Sequence, residues 1–279
     1  MKVLKAFGLG VREMINEKYR SLDYLREIFF SAKPYPHLVL DNFLSDEAYK
    51  SLASHLQQPN SVGMSRSFNT DFEKNKQISL NSKLSKELND ALTALNSDEW
   101  TENLRSLTGI ETLRSTKFGN THLANYHEMS KGGILASHVD HAKEPTTGLP
   151  HVLNLILYLS DDWAPGFGGS TQLYNKNGTV VSKSVEYRPN RAVIFLHTPH
   201  SFHGVSPLAG NGDVKRKTLY VDYYAQSFEP YKDMKLDFPC KWFDHPTTFK
   251  LNSNLDYLKP KNRAYLKHLL IYYGNKLLS

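Results

Sequence analysis

The feature that constrains this chain most is a short motif, His138-Val139-Asp140, followed 65 residues later by another histidine, His203. Side chains alternate along a β-strand, so His138 and Asp140 would project from one face and could hold one ion where the strand ends. Two imidazoles and one carboxylate are the ligand set of a facial Fe(II) site, which leaves three metal positions open. If His203 completes this set, strands that are distant in sequence must lie side by side.

The segments around these residues are typical of strands. Residues 134–136 are apolar and lead into the motif, and residues 191–196 form an apolar run before His203. Residues 218–224 follow closely on Arg216 and have the alternating side-chain pattern of a strand. A jelly roll brings such strands together. The predicted fold class is therefore α+β, with a jelly-roll core (a double-stranded β-helix), N-terminal helices packed on it and a C-terminal helical extension.

Further short motifs accompany the three ligands in a fixed order. They are Asn125-Tyr126, Gly132-Gly133, the apolar run ending at Tyr158 with an acidic turn and Trp163, Gly168-Gly169, and Phe195. With them, residues 115–226 resemble the 2-oxoglutarate and Fe(II)-dependent dioxygenases, in particular the prolyl-4-hydroxylase-like branch. The resemblance implies an oxidoreductase that uses Fe(II), 2-oxoglutarate and O₂ to hydroxylate a C–H bond, with release of succinate. It also leads us to expect that ascorbate helps to keep the iron reduced.

The resemblance assigns the catalytic residues one by one. It implies that His138, Asp140 and His203 bind iron and that Arg216 pairs with the distal carboxylate of 2-oxoglutarate, as a planar guanidinium suits. Lys217 is an alternative partner for that carboxylate. Arg216 is preferred because the order Arg-x-Thr-Leu keeps the alignment with the family's motif. Related halogenases lack the carboxylate, so Asp140 favours a hydroxylase. These residues also have an ordinary structural interpretation. The two histidines could be strand residues without a metal, Asp140 could cap the following loop, and Arg216 could belong to a solvated basic cluster.

Other residues are predicted to line the pocket. The resemblance implies that Tyr158 and Tyr126 hydrogen-bond the cosubstrate, and Thr218 is expected to contact it from the strand that carries Arg216. Tyrosines also favour strands in general, so both residues could be ordinary strand residues without a role in the pocket. Asn154 would share a face with Tyr158, since both are even-numbered residues of one strand, and is a candidate for substrate contact. His141, next to Asp140, would point to the opposite side of the strand and is not predicted to bind the iron.

Composition and charge narrow the class of protein. The chain has 279 residues, 40% of them hydrophobic, which is ample for a packed core, and a single cysteine, Cys240, which excludes an internal disulfide. No apolar run reaches the length of a membrane span, so a cytoplasmic location is expected. The net charge is +6, and residues 241–279 carry most of it. Residues 255–278 are predicted to form a basic amphipathic helix, packed on the core or docked on an anionic surface.

The predicted organisation has four parts. Residues 1–33 form an N-terminal helical arm, with a helix over residues 11–30; residues 34–114 supply a strand and supporting helices; residues 115–226 form the core; residues 227–279 form the basic extension. The second part is predicted to hold an edge strand over 34–44, a helix from Ser45 through Leu56, a loop over 59–80 near the site entrance, and helices over 83–95 and 98–108.

Several functions remain open on the sequence alone. Loops and extensions set the substrate, and a small metabolite or saccharide is favoured over a protein side chain because no segment is typical of a separate peptide-binding domain. A cupin-like metal enzyme would use the same triad without 2-oxoglutarate, and Arg216 distinguishes the two. A binding module without catalysis has no need for three metal ligands and an arginine. No nucleic-acid partner is expected, and the sequence specifies no oligomeric state.

Overall fold

The computed structural model describes residues 11–58, 60–116, 125–144, 146–210, 212–226, 246–251 and 253–278. Its helices are α1 (Val11–Met14), α2 (Arg26–Ser31), α3 (Asp46–Leu56), α4 (Lys86–Leu95), α5 (Asp98–Thr108) and α6 (Arg263–Leu278). Its strands are β1 (His37–Leu40), β2 (Arg66–Phe68), β3 (Glu73–Ser79), β4 (Arg114–Ser115), β5 (Tyr126–Val139), β6 (His151–Tyr158), β7 (Thr171–Tyr174), β8 (Val181–Val185), β9 (Ala192–Leu196), β10 (His203–Val205), β11 (Arg216–Tyr224) and β12 (Thr248–Phe249).

The strands form one antiparallel sheet that curls until it is nearly closed. Along its main path the order is β1-β9-β6-β11-β5-β10-β7-β8, so that most neighbours are distant in sequence. Strands β3 and β12 add to β5, β2 adds to β3, and β4 adds to β11. This crossing of strands from the two halves of the chain is typical of a jelly roll. The predicted fold class is confirmed.

The two faces of the central strands pack against different layers. On β6, Leu155 and Leu157 belong to a large apolar cluster that includes the helices, whereas Ile156 and Tyr158 belong to a second cluster within the curled sheet. Antiparallel partners project to the same side of a sheet. We call the second side the inner face; its facing pairs on β6 and β11 are Tyr158 with Thr218, Ile156 with Tyr220, and Asn154 with Asp222.

Helices α3, α4 and α5 cover the outer face, and each begins at a serine. The hydroxyl oxygen of Ser45, where the predicted helix begins, accepts a hydrogen bond from the amide of Ala48, and Ser85 and Ser97 act in the same way. Trp100 of α5 is buried against the sheet, where its indole N–H donates to the hydroxyl of Tyr223 at 3.0 Å. The three helices predicted between residues 45 and 108 are thus present.

Two predictions for the N-terminal half are wrong. The helix over residues 11–30 is broken, because Ile15 bridges to Leu44 and the amide of Asn16 donates to the carbonyl of Phe43 at 3.0 Å. Residues 59–80 do not form a continuous loop, because β2 and β3 make a hairpin there and β3 pairs with β5. In both segments, pairing with a distant strand overrides the local pattern. The predicted edge strand is present as β1, at one end of the main path.

The C-terminal extension contributes both a strand and a helix. Strand β12 pairs with β5 beside the metal motif, with Phe249 opposite His138. Helix α6 confirms a helix in the basic tail, but it has no buried residue, and Leu270, Ile271 and Leu277 are exposed. Within the described residues, no helix has the length and apolar character needed to cross a bilayer. Residues 1–10 and 227–245, with Cys240, lie outside the described residues, and the four predicted domain boundaries stay predictions.

Candidate metal centre and cosubstrate pocket

The three predicted metal ligands meet at one point of the inner face. His138 and Asp140 lie at the end of β5, and β10 pairs with β5 so that His203 stands opposite His138. The Nε2 atom of His138 lies 3.3 Å from Oδ1 of Asp140, and the Nε2 atom of His203 lies 3.3 Å from Oδ2. Both imidazoles are buried, and all three donor atoms lie within 4.8 Å of one another. This donor set of two imidazoles and one carboxylate suits Fe(II).

Backbone carbonyls fix the orientation of both imidazoles. The Nδ1 atom of His138 lies 2.8 Å from the carbonyl oxygen of Ala136, and that of His203 lies 3.0 Å from the carbonyl oxygen of Ser201. Nδ1 therefore carries the proton and donates, which leaves the Nε2 lone pair of each ring directed at the ion. The protein sets these tautomers before any metal binds.

The protonation states also suit a cation. Burial, together with the neighbouring His203, lowers the pKa of His138 below its ordinary value, and the opposing effect of Asp140 is smaller. Burial would raise the pKa of Asp140, but the interactions with His203 and His138 outweigh it and hold that pKa well below the usual range. At neutral pH the site thus presents a carboxylate and a neutral imidazole of His138, the forms in which these groups bind metals.

Two side chains of the inner face position Asp140. Tyr220 donates from its hydroxyl to Oδ2 of Asp140 at 2.5 Å, and Asn154 donates from Nδ2 to the same oxygen at 2.8 Å. Asn154 also donates to the Tyr220 hydroxyl at 2.8 Å. Its contacts are therefore with the ligand carboxylate, which differs from the predicted role in substrate contact. Tyr220 was not predicted, although its even spacing from Arg216 and Thr218 could have indicated it.

Arg216 lies on the inner face and is buried. Its Nε donates to the carbonyl oxygen of Gly169 at 2.8 Å, and its Nη2 donates to Oγ1 of Thr171 at 3.2 Å. The guanidinium carbon lies 5.2 Å from the ring centres of both Tyr158 and Tyr187. In the described part of the chain, no acidic side chain lies within ion-pair distance of it. A buried guanidinium held only by neutral groups can pair with an incoming carboxylate.

Aromatic side chains form the wall around Arg216. Tyr158 stacks on Tyr187 with ring centres 4.4 Å apart, and its hydroxyl donates to Oγ1 of Thr171 at 2.6 Å. Thr218 is buried on the same face, opposite Tyr158. These placements are compatible with the predicted roles of Tyr158 and Thr218. Tyr187 was not predicted, because it lies in a segment without a recognisable motif.

Two other predicted candidates lie on the outer face. Tyr126 pairs with Leu219 and packs in the cluster shared with the helices, and its hydroxyl donates to Glu128 at 2.9 Å. The prediction that Tyr126 contacts the cosubstrate is therefore not supported. Lys217 directs its ammonium to the carbonyl oxygen of Leu56 at 2.6 Å, on the helix side. Alternation along β11 separates it from Arg216, which removes it as a competitor for the carboxylate.

Aromatic rings flank both imidazoles of the triad. Phe249 of β12 stacks on His138 with ring centres 5.2 Å apart, and Phe195 of β9 packs against His203 at 4.8 Å. Phe249 in turn stacks on Phe72 at 5.1 Å. The C-terminal extension therefore forms one wall of the metal site, which the sequence did not indicate because β12 is only two residues long.

We expect Tyr220→Phe to weaken metal binding without unfolding the protein. The substitution removes the hydroxyl that orients Asp140 and keeps the ring, and loss of such a partner costs about 10- to 100-fold in metal affinity. Equilibrium dialysis against Fe(II) under anaerobic conditions measures this. Tyr174→Phe is the matched control, since its hydroxyl donates to Gln172 at 2.8 Å, and it should bind Fe(II) like the unaltered protein. Equal affinity in the two variants would contradict the role given to Tyr220.

Comparison with known proteins agrees with this site. A family model described as the 2OG-Fe(II) oxygenase superfamily matches residues 121–224, which include all three metal ligands and Arg216. No curated protein matches the sequence. Among solved structures, a prolyl-4-hydroxylase from Pseudomonas putida is similar, with 16% sequence identity, a TM-score of 0.52, and coverage of 73% of this chain and 98% of that one.

Two further structures are similar over most of their length. One is a prolyl hydroxylase from Trichoplax adhaerens in complex with a peptide fragment of the hypoxia inducible factor oxygen degradation domain, with 16% identity, a TM-score of 0.54, and coverage of 79% and 96% of the two chains. The other is HygX from Streptomyces hygroscopicus with nickel, 2-oxoglutarate and hygromycin B bound, with 14% identity, a TM-score of 0.50, and coverage of 80% and 96%. At these identities the likeness concerns the fold.

The predicted family and branch are confirmed, as is the prediction of an enzyme. The superfamily that the model describes implies Fe(II), 2-oxoglutarate and O₂ as cofactor and cosubstrates. The need for ascorbate stays a prediction. With the jelly roll and the triad taken together with these comparisons, residues 121–224 match the 2OG-Fe(II) oxygenase superfamily, and the chain has the fold of the prolyl-4-hydroxylase-like branch.

Proposed function

We propose that this enzyme hydroxylates an unactivated C–H bond of a small polar molecule, a metabolite or saccharide, while 2-oxoglutarate is converted to succinate and CO₂. The observation that carries the cosubstrate assignment is the buried Arg216, whose partners among the described residues are all neutral and which lies on the same face as the triad. A cupin-like enzyme without 2-oxoglutarate would leave this buried charge unneutralised, which is costly.

The roles of the residues follow from their positions. His138, Asp140 and His203 would hold Fe(II), with Tyr220 and Asn154 orienting the carboxylate. Bound Fe(II) supplies the redox chemistry that couples the oxidation of 2-oxoglutarate by O₂ to insertion of one oxygen atom into the substrate. Asp140 would occupy a metal position that a halide takes in the related halogenases, so hydroxylation is the expected outcome.

Arg216 would bind the distal carboxylate of 2-oxoglutarate, with help from neighbouring hydroxyls. Tyr158 shares the acceptor Thr171 with Arg216, and Thr218 projects beside them from β11. The pair of guanidinium and carboxylate would be screened from water by the rings of Tyr158 and Tyr187. Such a charge-assisted, desolvated contact fixes the cosubstrate in one orientation.

A small substrate is favoured by the way the C-terminal extension covers the site. Strand β12 occupies the edge of β5 beside His138, and β10 pairs with β5 on the other side. An extended peptide could not add a strand at this edge, which is one common way in which peptides bind. The solved relatives include one with a peptide and one with hygromycin B, so the fold accommodates either class of substrate.

Gly169→Ala is expected to raise the KM for 2-oxoglutarate by about tenfold, since small displacements of positioning groups are costly. Gly169 has a φ of +65°, and an added Cβ would lie 3.1 Å from Cδ of Arg216 and 2.9 Å from the ring of Trp163. The guanidinium would have to move. Gly166→Ala is the matched control, because Gly166 also has a positive φ, +88°, with open space around it. If both variants raise the KM equally, backbone strain rather than the contact with Arg216 is responsible.

The experiment that tests the proposed function is an anaerobic titration of the Fe(II)-bound protein with 2-oxoglutarate, followed in the visible range. A weak metal-to-ligand charge-transfer band that grows to saturation is expected. Iron bound with no such band would contradict the use of 2-oxoglutarate and favour the cupin-like alternative. Succinate release is then measured in air with two groups of candidate substrates, polar metabolites and saccharides in one and proline-containing peptides in the other, to identify the substrate class. Stimulation of succinate release by peptides alone would contradict the small-molecule assignment.

A further inference from the structure

A second cluster of metal-binding side chains lies beside the first. It consists of His141, the residue after Asp140, His151 at the start of β6, and Asp222 on β11. Their donor atoms lie within 4.8 Å of one another, as in the triad, although the two clusters share no residue. Asp222 faces Asn154 across the inner face, so this amide lies between the clusters.

One separation within this cluster equals those of the triad, and the other is longer. The Nε2 atom of His151 lies 3.3 Å from Oδ1 of Asp222, and the Nε2 atom of His141 lies 3.7 Å from Oδ2. Ligands about 2.0–2.1 Å from a tetrahedral zinc ion lie about 3.3–3.4 Å from one another. A shift of His141 toward Asp222 would bring its Nε2 to the same separation from the carboxylate as that of His151.

The tautomer of His151 leaves a lone pair directed at the carboxylate. Its Nδ1 lies 3.0 Å from the carbonyl oxygen of His141, so that Nδ1 is the donor and Nε2 the acceptor. Nε2 of His151 and Oδ1 of Asp222 are both buried, and neither has a hydrogen-bond partner among the described residues. Two lone pairs that face each other at this distance repel unless a positive charge lies between them.

No side-chain cation neutralises Asp222 in the described part of the chain. Its ion-pair partners there are His141 and His151 alone, and the hydroxyl of Tyr224 donates to its Oδ2 at 3.3 Å. His151 is completely buried, whereas a third of the His141 side chain is exposed, which gives an ion a route from solvent. An unneutralised carboxylate in such a place is costly, so the cluster requires either a proton on His151 or a metal ion.

We propose that His141, His151 and Asp222 bind a second divalent transition-metal ion of the zinc type, distinct from the catalytic iron. Two imidazoles and one carboxylate are preferred zinc ligands, and a water molecule would complete a tetrahedron. The ion would join the ends of the 142–150 connection, which leaves β5 beside Asp140 and returns at β6, to β11. Its role is to position this connection next to the iron ligands.

The test isolates the second cluster by removing the first. Full-length protein carrying Asp140→Ala and His203→Ala is dialysed against Zn(II) alone, and is expected to retain one equivalent. Adding His141→Ala, a partly exposed position that should tolerate truncation, is expected to weaken this binding by at least about tenfold, and adding Asp222→Asn to abolish it. His200→Ala is the matched control, because His200 belongs to neither cluster, and should change nothing.

Co(II) in place of Zn(II) gives a readout of the coordination sphere by absorption. A tetrahedral spectrum in the variant that lacks the iron ligands, lost on His141→Ala, supports the proposal. If that variant binds no Zn(II), or if His141→Ala and His200→Ala bind it equally, a proton on His151 is what neutralises Asp222, and the proposal is overturned. These outcomes do not depend on 2-oxoglutarate, so they are distinct from failure of the proposed function.

Discussion

Asp140→Ala is expected to abolish Fe(II)-dependent turnover of 2-oxoglutarate. The substitution removes one of three ligands and the only charged one, so the loss of Fe(II) affinity should exceed the about 10- to 100-fold that follows removal of an outer partner. It also leaves the hydroxyl of Tyr220 and the amide of Asn154 without their common acceptor. Anaerobic Fe(II) binding and succinate release, measured on the same sample, give both effects.

Asp213→Ala is a matched control for that experiment. Asp213 is exposed in the turn before β11, and its removal changes the net charge of the protein by the same amount. It should leave iron binding and turnover unchanged. Thermal unfolding of the metal-free proteins shows whether Asp140→Ala remains folded. Turnover at the normal rate in a folded Asp140→Ala protein would contradict the assignment of this carboxylate to the metal.

Alternation along strands made much of the site predictable. His138 and Asp140 are two positions apart at the end of β5, and Arg216 and Thr218 are two positions apart on β11. Each pair lies on the inner face. Which distant strands are neighbours does not follow from such spacing alone, and here it came from the ordered motifs. Tyr126 fails for this reason: its motif matches, but its register with Leu219 turns it to the helices.

The residues that the sequence did not indicate come from segments without motifs. Tyr187 lies between two strands, and Phe249 belongs to a strand of two residues far beyond the core. Each reaches the site through tertiary packing alone, Tyr187 against Tyr158 and Phe249 against His138. Tertiary packing also explains why β3 was not predicted as a strand. Its polar and apolar residues follow no clear period, and it forms a strand by pairing with β5.

The second cluster could not be predicted from the spacing of residues along one strand. His141 was expected to point away from the iron because it follows Asp140 directly, and in the structure it contributes to the other donor set. His151 and Asp222 lie ten and 81 residues further along the chain. Two adjacent residues of one strand end can therefore serve two separate sites, since their side chains diverge.

Arg216→Ala is expected to raise the Kd for 2-oxoglutarate by about 30- to 1,000-fold while Fe(II) binding is retained. Removal of one member of a buried, hydrogen-bonded charge pair costs about 2–4 kcal/mol. Arg216 is buried, and in the described part of the chain the partners of its guanidinium are all neutral: Gly169, Thr171 and the flanking tyrosine rings. The cosubstrate carboxylate would then enter a dry site without a counter-charge. The charge-transfer titration measures the change directly.

Lys217→Ala is the matched control for this prediction. It removes an adjacent cation of the same strand, but its ammonium binds the carbonyl oxygen of Leu56 on the outer face. It should leave the Kd for 2-oxoglutarate unchanged and lower stability slightly. Arg216→Lys should recover only part of the affinity, because an ammonium lacks the planar fork that pairs with both carboxylate oxygens. A larger effect of Lys217→Ala than of Arg216→Ala would reverse the assignment of the carboxylate partner and place 2-oxoglutarate elsewhere.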